Sequence, residues 1–190
     1  SQGSDHAAVF ADAIDAAGDY GHVVALGDYT ISSRLTLNRP VSITVHGTVT
    51  LGSDFLAIGT ESRVPNIVLN IARVVGDGGA YKALEVHAMN HSQVFIRRIE
   101  GCSIGIHMLA GDFSGGNTWL IGQIYGCTEG IRLEPTNYNL EGQGFYFGLI
   151  SGCSYGVRHY DPGTGYLSRW HHFIGSIDNV DVTGSYDIYE

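Results

Sequence analysis

The sequence predicts an all-β fold: one domain built as a parallel β-helix, a solenoid of about six coils entered through a short N-terminal capping helix. Three observations predict it. A glycine–cysteine frame recurs at nearly constant spacing. The segments between its marks are short β-branched or aromatic runs broken by Gly, Asn, Asp and Ser. Helical spacing is confined to one stretch near the start. The frame reads IRRIEGCSIGIHML from Ile96, IGQIYGCTEGIRLEP from Ile121 and FGLISGCSYGVRHYDP from Phe147. Fainter copies, IARVVG and IGSIDNV, flank these three. The glycine slot is filled by Gly76, Gly101, Gly126, Gly152 and Asn179, in steps of 25, 25, 26 and 27 residues.

At about 3.3 Å per strand residue, one such repeat traces roughly 80 Å, enough for one circuit of a flattened three-sided coil. Equivalent positions then stack about 4.8 Å apart, the spacing of hydrogen-bonded strands. Ile99, Ile124, Ile150 and Ile177 form one buried ladder, and Cys102, Cys127 and Cys153 a second. A β-sandwich is the rival reading, but its strands have no reason to repeat their sequence at a fixed period. The cysteines follow the repeat and form no clustered ligand pair such as C-x-x-C. They are read as reduced thiols filling the core.

In chain order, Ser4–Ala17 sets Ala7, Phe10, Ala11, Ile14 and Ala17 on one helical face. Ser4 is positioned to cap it, Asp5 suits its first turn, and Gly18 ends it. The helix is expected to cover the open apolar end of the first coil. Residues 1–20 are thus the cap and 21–190 the coils. His22–Ile31 reads as two strands around Gly27-Asp28. Leu35–Leu51 alternates at period two, with turns expected at Asn38-Arg39-Pro40 and at His46-Gly47. Phe55–Val64 and Asp77–Ala80 are the least regular stretches and read as corner loops. The final VDVTGSYDIYE is still strand-like and carries no cap, so the chain is expected to be a fragment of a longer one, or to be covered there by a partner.

Composition narrows the function. A net charge of −9 with ten Lys plus Arg and no basic run disfavours nucleic acid, which needs a basic footprint. No apolar run reaches the length of a membrane span, and no signal peptide precedes Ser1; a trimmed leader would leave secretion open.

The helix with Phe10, Ala13, Ile14 and Ala17, followed by Val23, Val24, Gly27, Tyr29, Ile31, Leu35, Leu37 and Gly47, resembles the entrance to the pectate-lyase-like superfamily of right-handed single-stranded parallel β-helices. Within it the likeness is to bacteriophage tailspikes and tail fibres. It is specific over roughly the first fifty residues and general behind them. The resemblance implies a homotrimer on a phage virion, or an extracellular protein, that recognises and depolymerises a bacterial capsule or O-antigen. A non-catalytic receptor-binding or structural spike of the same fold is the alternative, and a free-standing pectinase-like hydrolase a third. Superfamily membership does not choose between them.

No ladder slot carries the acidic pairs that a calcium-dependent lyase would need, so no metal and no cofactor are expected. Asp161-Pro162-Gly163 is only a stub of an epimerase signature. His171-His172, as strand neighbours, point to opposite faces. The catalytic pair chosen is Glu134 and Asp161. Each directly precedes a proline, which favours extended backbone at a coil corner. Neighbouring rungs would hold them about 5 Å apart, the separation of a retaining glycosidase. Glu129 and Asp112 are the reserves. Arg132 and Arg158 share a ladder slot with His107 and read as a basic stripe for acidic sugars. Tyr125, Tyr155, Tyr160 and Trp170 offer flat faces for stacking on sugar rings. Trp119, Phe145 and His172 align as one strand slot.

Overall fold

The computed structural model describes residues 5–109, 114–134, 140–160 and 172–178. They form a parallel β-solenoid of about five turns, one fewer than the period suggests, behind a single helix, α1, at Ala7–Ala17. Every strand pairs in parallel with its counterpart one circuit away, and three sheets result. The long sheet runs through His22–Ala25, Ser42–Leu51, Val68–Val75, Gln93–Glu100, Thr118–Tyr125, Gly144–Ser151 and His172–Asp178, with Tyr29–Ile31 beside Ser42–Leu51. The second sheet stacks Leu35–Leu37, Leu56–Ile58, Lys82–Val86, Ile104–Met108, Glu129–Leu133 and Tyr155–His159. The third, of two-residue strands, stacks Val64–Pro65, Met89–Asn90, Ser114–Gly115 and Leu140–Glu141.

The core lies inside this tube as ladders of like residues. Ile99, Ile124 and Ile150 are in register and fully buried, and Val74 and Val49 extend the column below them. Ile177 continues the register on the last described strand of the sheet and is 40% exposed, with a rung on one side only among the described residues. Leu69, Val94, Trp119 and Phe145 make a second column, in which the two aromatic rings stack at 5.4 Å. Each fully buried aliphatic contributes about 1.5–3 kcal/mol. The three cysteines are buried and unbridged, and each thiol donates to the carbonyl two residues before it.

The frame's glycine is a corner residue. Gly101, Gly126 and Gly152 have φ of +63°, +61° and +62°, which turns the chain from the long sheet into the second. At the fainter copy the positive φ moves to Gly78 and Gly79, in the turn at Asp77–Ala80. The corner between the third and long sheets is polar and closed on itself. Asn117 accepts from the Ser92 amide at 3.1 Å and donates to the Met89 carbonyl at 2.6 Å. Gln143 accepts from Trp119 Nε1 at 3.0 Å and donates to the Ser114 carbonyl at 3.0 Å.

At the entrance, Phe10 meets Tyr29 edge-on at 5.1 Å, and Phe10 and Ile14 are buried. Ser4 lies outside the described residues; the N-cap position is His6, which makes no side-chain cap, and Asp5, before it, takes the first helical amide. Its Oδ1 accepts from the Ala7 amide at 3.0 Å and the Ser32 amide at 2.9 Å, while Oδ2 accepts from Ser33 Oγ at 2.7 Å.

Three expectations change. Phe55–Val64 is a corner loop only over residues 59–63, since Leu56–Ile58 pairs in the second sheet and Phe55 is core. His46-Gly47 is not a turn. The strand runs through it with a register shift between Val45 and Thr48, a bulge absorbing one residue. The partner of Phe145 is Phe173, not His172, because a second irregularity between Tyr146 and Leu149 lengthens that circuit.

Candidate functional site

Outward positions of the second sheet collect a charged network. Parallel register places Glu85, His107, Arg132 and Arg158 in one column, one rung apart. Glu129 and Tyr155 pair in the neighbouring column, and Glu134 and Tyr160 leave the ends of their strands. Outward side chains in consecutive rungs lie too close for charges to ignore each other, so the column is ordered by ion pairs.

Glu85 receives Arg34 Nη1 at 3.2 Å, His87 Nε2 at 3.0 Å and the Lys82 ammonium, with His107 Nδ1 at 3.7 Å. The imidazole of His107 first, and that of His87 second, hold the Glu85 carboxyl well below the usual carboxylate range against the opposing effect of burial. His107 is 3% exposed, and its Nε2 lies 2.9 Å from Glu134 Oε2. Arg132 grips Glu129 with Nε at 2.7 Å and Nη2 at 2.6 Å, and reaches Glu134 Oε2 with Nη1 at 3.5 Å. Burial is the largest single influence on Arg132 and opposes its charge, but the hydrogen bonds and charge of Glu129, with the charge of Glu134, together outweigh it and raise its pKa. Arg158 Nη1 adds a third bond to Glu129 at 2.8 Å. Two tyrosines flank the cluster. The Arg158 guanidinium sits 4.7 Å from the Tyr155 ring and 5.7 Å from that of Tyr160, and Arg132 sits 5.7 Å from Tyr160.

The structure therefore brings together Glu134, Glu129, Arg132, Arg158, Tyr155 and Tyr160. It separates Tyr125, which ends a strand of the long sheet and lies under Arg98 at 5.8 Å. Asp161, Trp170 and Asp112 lie outside the described residues, and so does the proposed Glu134–Asp161 pairing. The expected basic stripe is corrected. His107, Arg132 and Arg158 do share a slot, but Glu85, Glu129 and Glu134 pair with them, so the face presents hydrogen-bonding charge of both signs. Glu129, buried and gripped three times, is an anchor for the two arginines. Glu134 differs: both its bonds go to Oε2, and Oε1 has no hydrogen bond among the described residues.

Glu85 went unread as a site residue for a traceable reason. Counted on the glycine–cysteine slot it falls out of phase, because the Asp77–Ala80 turn inserts extra residues before Lys82–Val86. Its partner His107 is 22 residues on, not 25. Among the described residues no group of His, Cys, Asp or Glu is arranged to hold a metal ion. Comparison with protein-family models, with curated proteins and with solved structures finds no match to this chain.

Proposed function

We propose that this β-solenoid is a tailspike-like domain that binds a bacterial surface polysaccharide on the outer face of its second sheet. The observation that carries the reading is the Tyr155–Arg158–Tyr160–Arg132 stack. Aromatic faces and planar guanidinium groups, fixed by the Glu129 anchor, alternate over two rungs. Tyrosine rings stack on the apolar faces of sugars, and the charged groups around them match hydroxyl and carboxylate groups. In the catalytic form of the proposal, Glu134 is the protein's acid or base, with Asp161 as its partner carboxylate, in glycoside hydrolysis. Assembly as a homotrimer, on a phage tail or otherwise outside the cell, belongs to the same proposal. Tyr146, 40% exposed on the long sheet, is the apolar surface that motivates it.

The test is binding and cleavage with purified capsules and O-antigens. Binding that Tyr160→Ala weakens at least about tenfold supports the site, and undiminished binding in that variant removes it. New reducing ends that disappear in Glu134→Gln, with binding kept, support hydrolysis. Binding without any cleavage favours the non-catalytic spike, the second reading, which the consumption of Glu134 Oε2 by His107 and Arg132 also suits.

A further inference from the structure

The long sheet has an unassigned feature on its own outer face. At Arg97, Gly122 and Gly148 the ladder pairing lapses while register holds on both sides, and two successive residues turn outward between buried neighbours such as Ile96 and Ile99. The slot is occupied by small residues on most rungs: Ala72, Gly122, Gly148 and Gly175. Arg97 stands among them. A cavity of about 560 Å³ opens here, lined by Asp28, His46, Arg73, Arg97, Arg98 and Gln123. It adjoins, at the rung of Gln123, a second hollow floored by Gly122, Gly148 and Gly175 and banked by Leu120 and Tyr146.

Three of the chain's ten basic residues meet in this notch, although the chain carries −9 overall. Glu100 serves two of them, pairing with Arg73 and with Arg98 Nε at 2.6 Å. Asp28 Oδ1 accepts from the Thr48 amide at 2.7 Å. Arg97 is exposed and lines the cavity, and its side chain makes no ion pair or hydrogen bond among the described residues.

We propose that this trough is a second binding site, distinct from the second-sheet cluster, for an acidic glycan lying along the solenoid axis. Arg97, backed by Arg73 and Arg98, takes the oxyanion group of the sugar. A guanidinium fork matches a carboxylate or sulfate in two parallel bonds. The glycine floor admits a flat ring, and the Leu120–Tyr146 bank gives it an apolar face. From the rung of Ala72 to that of Gly175 the trough spans four steps, roughly 19 Å at about 4.8 Å per rung. That is room for several sugar units. One uncommitted arginine suits an isolated acidic group on each repeat of a glycan. It does not suit the dense phosphates of a nucleic acid, which need many basic contacts.

The inference stands apart from the second-sheet reading and has its own test. Calorimetry compares a uronic-acid hexasaccharide, its carboxyl-reduced neutral form, and sodium sulfate alone. The acidic oligosaccharide is expected to bind at least about tenfold more tightly than the neutral one. Arg97→Ala should remove that preference, Arg97→Lys should restore part of it, and rising salt should weaken it. Equal binding of the two oligosaccharides overturns the proposal. So does an undiminished acidic preference in Arg97→Ala, or sulfate binding that the oligosaccharide does not improve, which would leave an ion site only. None of these outcomes touches the result for Tyr160→Ala.

Discussion

Gly126 and Gly130 lie four residues apart on one rung and are glycine for different reasons. Gly126 has φ +61° and open space where a Cβ would go, so only backbone conformation demands it. Gly130 has an ordinary φ, but a Cβ there would lie 2.5 Å from the Gly156 carbonyl oxygen and 2.9 Å from Ile150 Cγ2. Gly126→Ala is therefore expected to cost about 1 kcal/mol. Gly130→Ala should cost on the order of 3 kcal/mol, because the next rung must move. Urea unfolding midpoints of the two variants check the difference. Glu85 gives a pH dependence with a definite sign. Its folded pKa lies below the unfolded value, so its stabilisation is complete above the ordinary glutamate pKa of about 4.3 and fades as pH falls below it. The unfolding midpoint of the parent should drop between pH of about 5 and about 3. Glu85→Gln should be less stable at neutral pH and flatter over that window.

At the scale of elements, α1 and the polar corner do separate jobs. The helix closes the first coil with Phe10 and Ile14, and Phe10→Ala is expected to cost about 3–4 kcal/mol and to promote association through the uncovered end. Thermal unfolding and light scattering read the two effects. Asn117 bridges three rungs, and Asn117→Leu would strand the Ser92 amide, while the Met89 carbonyl keeps Ser114 Oγ at 2.9 Å, at a cost of about 1–3 kcal/mol. The helix, the coils and the isoleucine ladder were legible in the sequence because each obeys a period: Phe10 to Ile14 the helical one, Ile99 to Ile150 the circuit. The Phe145–Phe173 pairing and the place of Glu85 were not, because single-residue bulges and the Asp77–Ala80 turn change the circuit length without altering residue type. The trough escaped for a related reason. Arg73 and Arg98 are 25 residues apart and form no basic run, yet the circuit stacks them on adjacent rungs. Counting charges modulo the period, instead of along the chain, would have found them.

At the scale of the molecule, each strand pairs only with those one circuit away, and the Arg34–Glu85 ion pair reaches across two rungs, so stability is close to a sum of rung and nearest-neighbour terms. A homotrimer is expected to give three times the chain mass in light scattering at micromolar concentration, and a stable single-chain mass would reject it. Tyr146 belongs to a bank of the trough, so a trimer that covered it would turn the trough into a cleft between chains.

The buried thiols make the solenoid its own stopwatch. Cys102, Cys127 and Cys153 mark three successive rungs, and the neighbouring Cys102 thiol, with desolvation, pushes the Cys127 thiol up to about 12. Hydrogen bonding with Cys127, and then burial, raises Cys153 further. None should react with an alkylating reagent until its rung opens, so each labelling rate times one local opening event. Rates falling in order from Cys153 to Cys102 would mean that the coil unwinds from its far end toward the helix, one circuit at a time. A single common rate would mean that the circuits open together.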